Sequence, residues 1–383
     1  MGETTRRALL IAGGASVVII GAGAGWALSR APEKAREPWR QAGESFGDPR
    51  LDALAYAILA PNPHNMQPWR IALDGDDGFT LYTDLSRLLP ETDPPCRQVT
   101  IGFGCFLELF RQAAAEKGYR ADWTYFPEGE PQPVLDDRPV AYVRLVRDES
   151  LARDPLFGGV LARRTNREPF DLKRTPDSDA LGRVVEASLP GVAAAATSEP
   201  EPVAALRALA IKAWHAEWTR DGTRRESVDV TRIGKKEINE KPWGLTLSGP
   251  FLEAMAAAGL LSRKSLYEPG SAAYQGSFDF YDKACATATA FVWSTTQTNT
   301  RADQMEAGRA WVRMQLAASA AGLACQPLSQ ALEEFPEMAP LYEEARAMLA
   351  PAGGTVQMLG RLGYAPKAPP APREKLTAKL APV

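Results

Sequence analysis

The sequence predicts an α+β fold in two halves, each a mixed sheet packed with long helices. Three observations carry that expectation. Beyond residue 48 the periodicities read α-β-β-α-β-β. From about residue 151 long amphipathic runs and short strands alternate a second time. The spacing from Gly104 to Gly118 recurs from Gly308 to Gly322, and an offset of 204 lays Ala113-Ala114 on Ala317-Ala318. A duplicated α/β unit explains that echo; chance likeness of two buried helices also explains it.

The 383 residues are enough for one large or two ordinary domains. Apolar content of 45% and charged content of 24% are those of a globular protein and exclude wholesale disorder. A net charge of −3 argues against nucleic acid as the main partner. Cys96, Cys105, Cys285 and Cys325 show no CxxC spacing, and His64 and His215 are the two histidines. No disulfide framework and no metal site are expected from that set. No G-x-S-x-G elbow is present.

Residues 1–30 read as an export signal or membrane anchor. Thr4-Thr5-Arg6-Arg7-Ala8-Leu9-Leu10 precedes an uncharged run over residues 8–29. The paired arginines resemble a twin-arginine signal. A periplasmic or otherwise extracytoplasmic location follows, with anchoring in the inner membrane through residues 8–29 if the segment is not cleaved. Inside it, Val17 to Gly25 imitates a dinucleotide-binding glycine turn, but Pro32 stops the helix such a unit needs.

Residues 31–150 form the expected N-terminal half. Asp48-Pro49 starts a helix through Ala60, with Leu51, Leu54, Ala55, Ile58 and Leu59 on its apolar face. Strands follow near 70–73 and 79–83. A long helix over 98–117 is closed by Gly118, and strands lie near 119–126 and 140–146. Residues 151–383 form the C-terminal half. Its helices are expected near 151–161, 177–188, 200–219, 303–321 and 337–349, and its strands near 288–296, 323–328 and 354–362. Residues 221–285 read as a variable insert. The Pro-rich end, Tyr364 to Arg373, is a loose tail or an arm laid over the other half.

Two constellations carry chemistry. The first is Pro61-Asn62-Pro63-His64-Asn65-Met66-Gln67-Pro68-Trp69. Its amides offer donors and acceptors that suit the edge of a flavin ring, and its prolines lower the entropy lost on ordering. The plainer reading is a tight helix-to-strand connection whose amides satisfy its own backbone. The second is Arg163-Arg164-Thr165-Asn166-Arg167. Guanidinium groups bind phosphate through charge-assisted, bidentate bonds. A solvated basic turn is the alternative.

Together these segments resemble the flavin-binding elements of the nitroreductase family. That family shows an R-x-S/T-x-R-x-F element for FMN phosphate and a P-S-x-x-N-x-Q-P-W loop for the isoalloxazine ring. Here Phe170 is displaced by one position and Asn62 stands where the family has Ser. Ala320-Ala321-Gly322-Leu323 with Gln326-Pro327-Leu328-Ser329 is similar to the family's A-x-x-x-G-L segment and flavin-contacting loop. Arg361-Leu362-Gly363-Tyr364 with Pro372-Arg373 is similar to its closing pattern. The amide loop comes first and the arginines a hundred residues later, which resembles the Acg-like branch. There, two nitroreductase-like halves share one chain and imitate the family's dimer.

The resemblance implies FMN as cofactor. It places Asn62, Pro63, His64, Asn65 and Gln67 toward the ring, Arg163, Arg164, Thr165 and Arg167 toward the phosphate, and Pro327, Leu328, Ser329 and Arg373 beside the flavin. It implies a monomer with pseudo-dimeric halves, or a homodimer, acting on a small nitroaromatic- or quinone-like molecule. The electron donor and the catalytic residue stay open; His64 is a candidate with a structural role as its alternative. Two other readings are an FMN-sequestering protein without turnover and a cofactor-free structural relative.

Overall fold

In the computed structural model, which describes residues 30–381, a short helix α1 (Glu37–Gln41) precedes α2 (Pro49–Ala57). Asp48 caps α2 by accepting from the Arg50 N–H, and Pro49 holds the first helical position, where its missing N–H costs nothing. Strands β1 (Trp69–Asp74) and β2 (Gly78–Thr83) follow, then α3 (Arg97–Glu116), β3 (Tyr119–Tyr125) and β4 (Ala141–Arg147). The second series runs α4 (Ser178–Glu186), β5 (Ala193–Thr197) and α5 (Pro200–Thr219). After the insert come β8 (Ala290–Thr296), α11 (Arg301–Ala320), β9 (Ala324–Pro327), α12 (Ala339–Leu349) and β10 (Thr355–Gly363).

The insert contains α6 (Asp221–Asp229), β6 (Thr231–Ile233), α7 (Gly234–Glu240), β7 (Leu245–Leu247), α8 (Pro250–Ala257), α9 (Arg263–Tyr267) and α10 (Ala272–Ala286). Its Val228, Leu261, Leu266 and Phe278 form a small core with Trp214 and Trp218 of α5.

The architecture is α+β. One sheet has the order β1-β2-β4-β3 and the other β5-β8-β10-β9. The two orders coincide when β1, β2, β3 and β4 are read as β5, β8, β9 and β10. Their ladders are antiparallel. Parallel pairing enters where Leu380 bridges to Ile71 on β1, and in the β6–β7 pair.

Helices α3 and α11 cross at the centre, and each is twenty residues long. Their first residues, Arg97 and Arg301, differ by the same 204 positions as Gly104 and Gly308. A Cβ on Gly104 would overlap the Met305 carbonyl, and a Cβ on Gly308 would overlap the Ile101 carbonyl. Glycine is required at this crossing because backbone meets backbone. Gly118 and Gly322, at φ +74° and +72°, end the two helices alike. The arginines reach across reciprocally. Arg97 donates to the carbonyls of Leu332 and Gln357, while Arg301 donates to those of Pro131 and Pro133.

The C-terminal segment is an arm laid over the N-terminal half. Ile71 N–H donates to Lys379 O at 2.8 Å, and Ala381 N–H donates to Ile71 O at 2.7 Å. One expectation about secondary structure changes, and one strand appears where none was expected. Residues 151–161 hold only a single 3₁₀ turn at Phe157–Gly159, since Pro155 and the Gly158-Gly159 pair do not favour a helix. Ala193–Thr197 is a strand despite four alanines, because it pairs with β8.

The expected anchoring through residues 8–29 and the periplasmic or extracytoplasmic location are corrected. Among the described residues no helix is long and apolar enough to cross a membrane. The twenty-residue helix α3, for example, carries Arg97, Glu108, Arg111 and Glu116, and a span needs about 20 mostly apolar residues. Residues 1–29, with the signal-like segment, lie outside the described residues.

Candidate functional site

The turn after α2 leaves the carbonyls of Ile58, Leu59 and Ala60 facing inward. Arg373 from the C-terminal arm satisfies them, with Nε on Ile58 O at 3.0 Å and Nη2 on Leu59 O and Ala60 O at 3.0 and 2.9 Å. Its Nη1 donates to Asn65 Oδ1 and to Pro372 O. All five guanidinium N–H groups therefore meet protein acceptors. Arg373 is 3% exposed, and burial, then the charges of Arg163 and Arg164, push its pKa down to about 9. The geometry makes it the anchor of the arm rather than a group free for a flavin.

The amide loop begins next. His64, Asn65 and Gln67 have φ of 48°, 56° and 53°. Left-handed backbone at non-glycine residues costs about 1–3 kcal/mol each and persists only where surroundings enforce it. Several bonds do so here. Asn62 Oδ1 accepts from the Gln67 N–H at 2.8 Å, and Asn62 Nδ2 donates to Ala60 O at 3.1 Å. Gln67 Nε2 donates to Pro242 O at 2.9 Å, and Gln67 Oε1 accepts from the Glu374 N–H at 2.9 Å. Asn65 Nδ2 donates to Pro372 O at 3.1 Å, and Asn65 O accepts from the Gly244 N–H at 3.0 Å.

The expectation that Asn65 and Gln67 face a ligand therefore does not describe this arrangement. Their amides bind the insert at Pro242–Gly244 and the arm at Pro372–Glu374. Trp243, at the centre of that insert segment, is stacked by Arg87 and Arg232 at 3.7 and 4.1 Å. The insert thus closes over the loop.

The arginine element divides. Arg163 and Arg164 turn toward Trp39 on α1, with guanidinium carbons 5.9 and 4.8 Å from its ring; Arg373 is 5.6 Å away. Arg163 donates to Gln315 Oε1 and Leu59 O, both at 3.1 Å, and Arg164 donates to Leu161 O and Arg163 O. The Nε atoms of Arg163 and Arg164 are buried without a partner. Burial pushes Arg163 down to about 10, and burial, then the charge of Arg36, lowers Arg164. None of the hydrogen-bond acceptors of Arg163, Arg164 and Arg373 is a carboxylate. Arg163 and Arg164, cations with orphan donors and no acidic partner, suit an anion. Thr165 is exposed.

Arg167 points elsewhere. Its Nη2 donates to Thr246 O on β7 at 3.0 Å. His64, Arg167 and Tyr281 are each half-buried, and Arg167 lies within electrostatic reach of both His64 and Tyr281, so the three make one candidate cleft wall. They come from the loop, the arginine element and the insert. Burial, then Arg167, pushes the His64 pKa down to about 4, so its imidazole is neutral at pH 7. His64 Nε2 lies 2.8 Å from Ser227 Oγ.

Pro63 opens the 3₁₀ turn that carries His64. Pro327 pairs with Gly360 in the β9–β10 ladder, Leu328 is buried in the second core, and Ser329 precedes the 3₁₀ turn Gln330–Leu332. Sequence reasoning missed Trp39, Ser227 and Tyr281, which lie in no motif. Arg361, part of the closing sequence pattern, has a structural role. It is fully buried, donates to Gln326 Oε1, Ala284 O and Glu168 O, and stacks 3.8 Å over Phe170.

No family model matches the chain. A Mycobacterium tuberculosis protein named "Putative NAD(P)H nitroreductase" is 28% identical over 330 residues, covering 85% of this chain and 88% of that protein. The similarity supports homology to the nitroreductase family. A second M. tuberculosis protein, "Putative NAD(P)H nitroreductase acg", is 35% identical over 130 residues, 33% of this chain and 37% of its own. This is a partial match to the Acg-like branch. Among solved structures, a putative nitroreductase from Anabaena variabilis covers 85% of this chain and 91% of its own at 10% identity and a TM-score of 0.45. One from Desulfovibrio desulfuricans in complex with FMN covers 61% and 98% at 14% identity and a TM-score of 0.34. At those scores the nitroreductase likeness in three dimensions carries no argument about the site.

Proposed function

We propose that the chain is an FMN-dependent oxidoreductase of nitroreductase type, moving a hydride or single electrons between the flavin and a small nitroaromatic- or quinone-like substrate. The observation that carries this reading is the buried Arg163 and half-buried Arg164 guanidinium groups beside Trp39, with orphan Nε atoms and no carboxylate partner. Arg163 and Arg164 would hold the phosphate. Arg167 is the cation left in the cleft, where it would stabilise the negative charge of a reduced ring. The bound flavin supplies the redox chemistry itself. The chain's part is to exclude water, orient the substrate on the ring face and supply protons. The matching strand orders, the 204-residue offset and the reciprocal arginines support two nitroreductase-like halves fused in one chain. The name of the M. tuberculosis relative makes NAD(P)H the first donor to test.

A second reading, FMN sequestration without turnover, is favoured by the insert segment hydrogen-bonded onto the loop. Purified protein separates the two. Yellow protein that dithionite reduces and a nitroaromatic or quinone reoxidises supports the enzyme. Reduction without transfer to any acceptor supports storage. Colourless protein that takes up no added FMN overturns both. Arg164→Ala, whose hydrogen bonds are only local, is expected to weaken FMN binding at least tenfold, read by quenching of flavin fluorescence. Unchanged affinity would show that the phosphate lies elsewhere.

A further inference from the structure

Behind the cleft lies a buried acidic pair that the redox reading leaves unused. Glu217 on α5 and Glu333 beyond β9 are 2% and 4% exposed. Each has one carboxyl oxygen with no hydrogen-bond partner, Glu217 Oε2 and Glu333 Oε2. An ionised oxygen left dry and unpaired is expensive, and a carboxyl in that position keeps its proton instead.

The pair is wired to the cleft. Ser227 Oγ donates to Glu217 Oε1 at 3.4 Å and lies 2.8 Å from His64 Nε2. On the other side the Gln330 side chain bonds Glu217 and accepts from the Tyr281 hydroxyl at 2.9 Å. One hydrogen-bonded chain therefore joins the carboxyl to two residues of the cleft wall.

The surroundings are acidic. Glu226, bound by the N–H groups of Glu91 and Thr92, and Asp93, bound by those of Gln98 and Val99, both face the pair electrostatically. Burial, then the charges of Glu217, Asp93 and Glu226, push Glu333 upward against Arg97. Burial pushes Glu217 up to about 7, with Glu226 adding to it.

We propose that Glu217 and Glu333 store a proton, and that Ser227 hands it to His64 for the substrate reduced in the cleft. This rests on the redox reading above. The transfer is balanced. With the Glu217 proton on Oε1, the Ser227 hydroxyl turns from Oε1 toward His64 Nε2; the Glu217 O–H bond then breaks, Ser227 accepts that proton while giving its own to His64 Nε2, and its hydroxyl is restored. His64 then releases a proton from Nδ1. Reduction of a nitro group or quinone consumes one proton for each electron, and the electrons come from the reduced flavin. His64 suits a carrier because its depressed basicity makes it pass a proton on rather than keep it.

Two measurements on the full chain test this without flavin or substrate, so they stand apart from the redox reading. Infrared spectroscopy at pH 7 should show the carbonyl stretch of a protonated carboxyl that titrates only above the ordinary carboxyl range. Glu217→Gln and Glu333→Gln should each remove or shift it. Absence of the band in the wild type, or its survival unchanged in both variants, overturns the proton store. Nitrogen NMR should show the His64 Nε2 resonance following the same titration. Ser227→Ala should uncouple it while leaving the infrared band, and Ser227→Thr should restore the coupling. A wild-type His64 resonance blind to the pair's titration overturns the relay.

Discussion

Replacing Gly104 with alanine tests the central crossing, because two effects predict opposite signs. Helix propensity alone favours alanine over glycine by about 0.8–1.0 kcal/mol in a helix interior. Close packing opposes it, since the new methyl would overlap the Met305 carbonyl and approach Gly308 Cα at about contact limits. The obstructing atoms are backbone, so no rotamer change relieves the overlap and the helices must separate. Overpacking of that kind costs about 1–3 kcal/mol. Taking the upper end and subtracting the propensity gain leaves a net loss of about 2 kcal/mol. With about 2.1 cal/mol/K per residue of unfolding entropy, a chain of this size should lose about 3 °C in Tm. Gly308→Ala should lose the same amount by reciprocity. The double variant should lose less than the sum, because helices parted by one methyl already make room for the other. Calorimetry on the three variants decides it. A Gly104→Ala protein melting at or above the wild type, or single variants of opposite sign, would refute the reciprocal crossing.

Three further outcomes are expected. Arg373→Ala frees the arm and strands the carbonyls of Ile58, Leu59 and Ala60; it should cost about 3 kcal/mol and speed proteolytic clipping beyond residue 365, with Arg373→Lys failing to rescue because the fork geometry is lost. Glu108 is buried between Arg111, Arg309 and Arg313. Burial pushes its pKa up, but the bonds and charges of Arg111 and Arg309 outweigh it and hold the pKa below the usual range. Its stabilisation is therefore present above the unfolded carboxyl pKa of about 4 and lost as pH falls through the lower folded value. Glu108→Gln should cost about 3 kcal/mol at pH 7 in urea unfolding, with the gap to wild type closing toward pH 3. His64 should titrate near 4 by NMR. Because its folded pKa lies below the unfolded value of about 6.5, the neutral ring's contribution is intact above 6.5 and is lost as pH falls from there to about 4; a wild-type His64 titrating near 6.5 would exclude burial in the cleft wall.

Much of the fold is legible in the sequence because its main elements carry their own punctuation. Helices α3 and α11 show continuous apolar faces and stop at Gly118 and Gly322. The Gly104–Gly308 echo is visible as spacing, but its reason, two backbones in contact, is visible only in space. Local signals fail where tertiary pairing decides. Ala193–Thr197 has little strand propensity and is a strand because β8 lies beside it. The candidate site is half legible. Its residue types are read correctly as amides and guanidinium groups, yet their partners are not. Asn65 and Gln67 find theirs at Pro242, Pro372 and Glu374, each more than 170 positions away. The three neighbouring arginines look like one cluster in sequence and split into two environments in space. Ser227, Glu217 and Tyr281 sit in segments without motif, and nothing short of the folded arrangement joins them to His64.

The arm has a consequence for how the protein is made. Loop 62–67 emerges early from the ribosome, but Arg373, Glu374 and Lys379, which hold it, are more than 300 positions behind. Until those residues arrive, three left-handed non-glycine residues have little to enforce them, and the carbonyls of the preceding turn lack their donor. The site is therefore assembled as one of the last events of folding, by contacts of very large sequence separation. Chains released short of residue 373 would carry every arginine of the 163–167 element and still fail to present an ordered loop. An incomplete chain therefore lacks the contacts that order the loop.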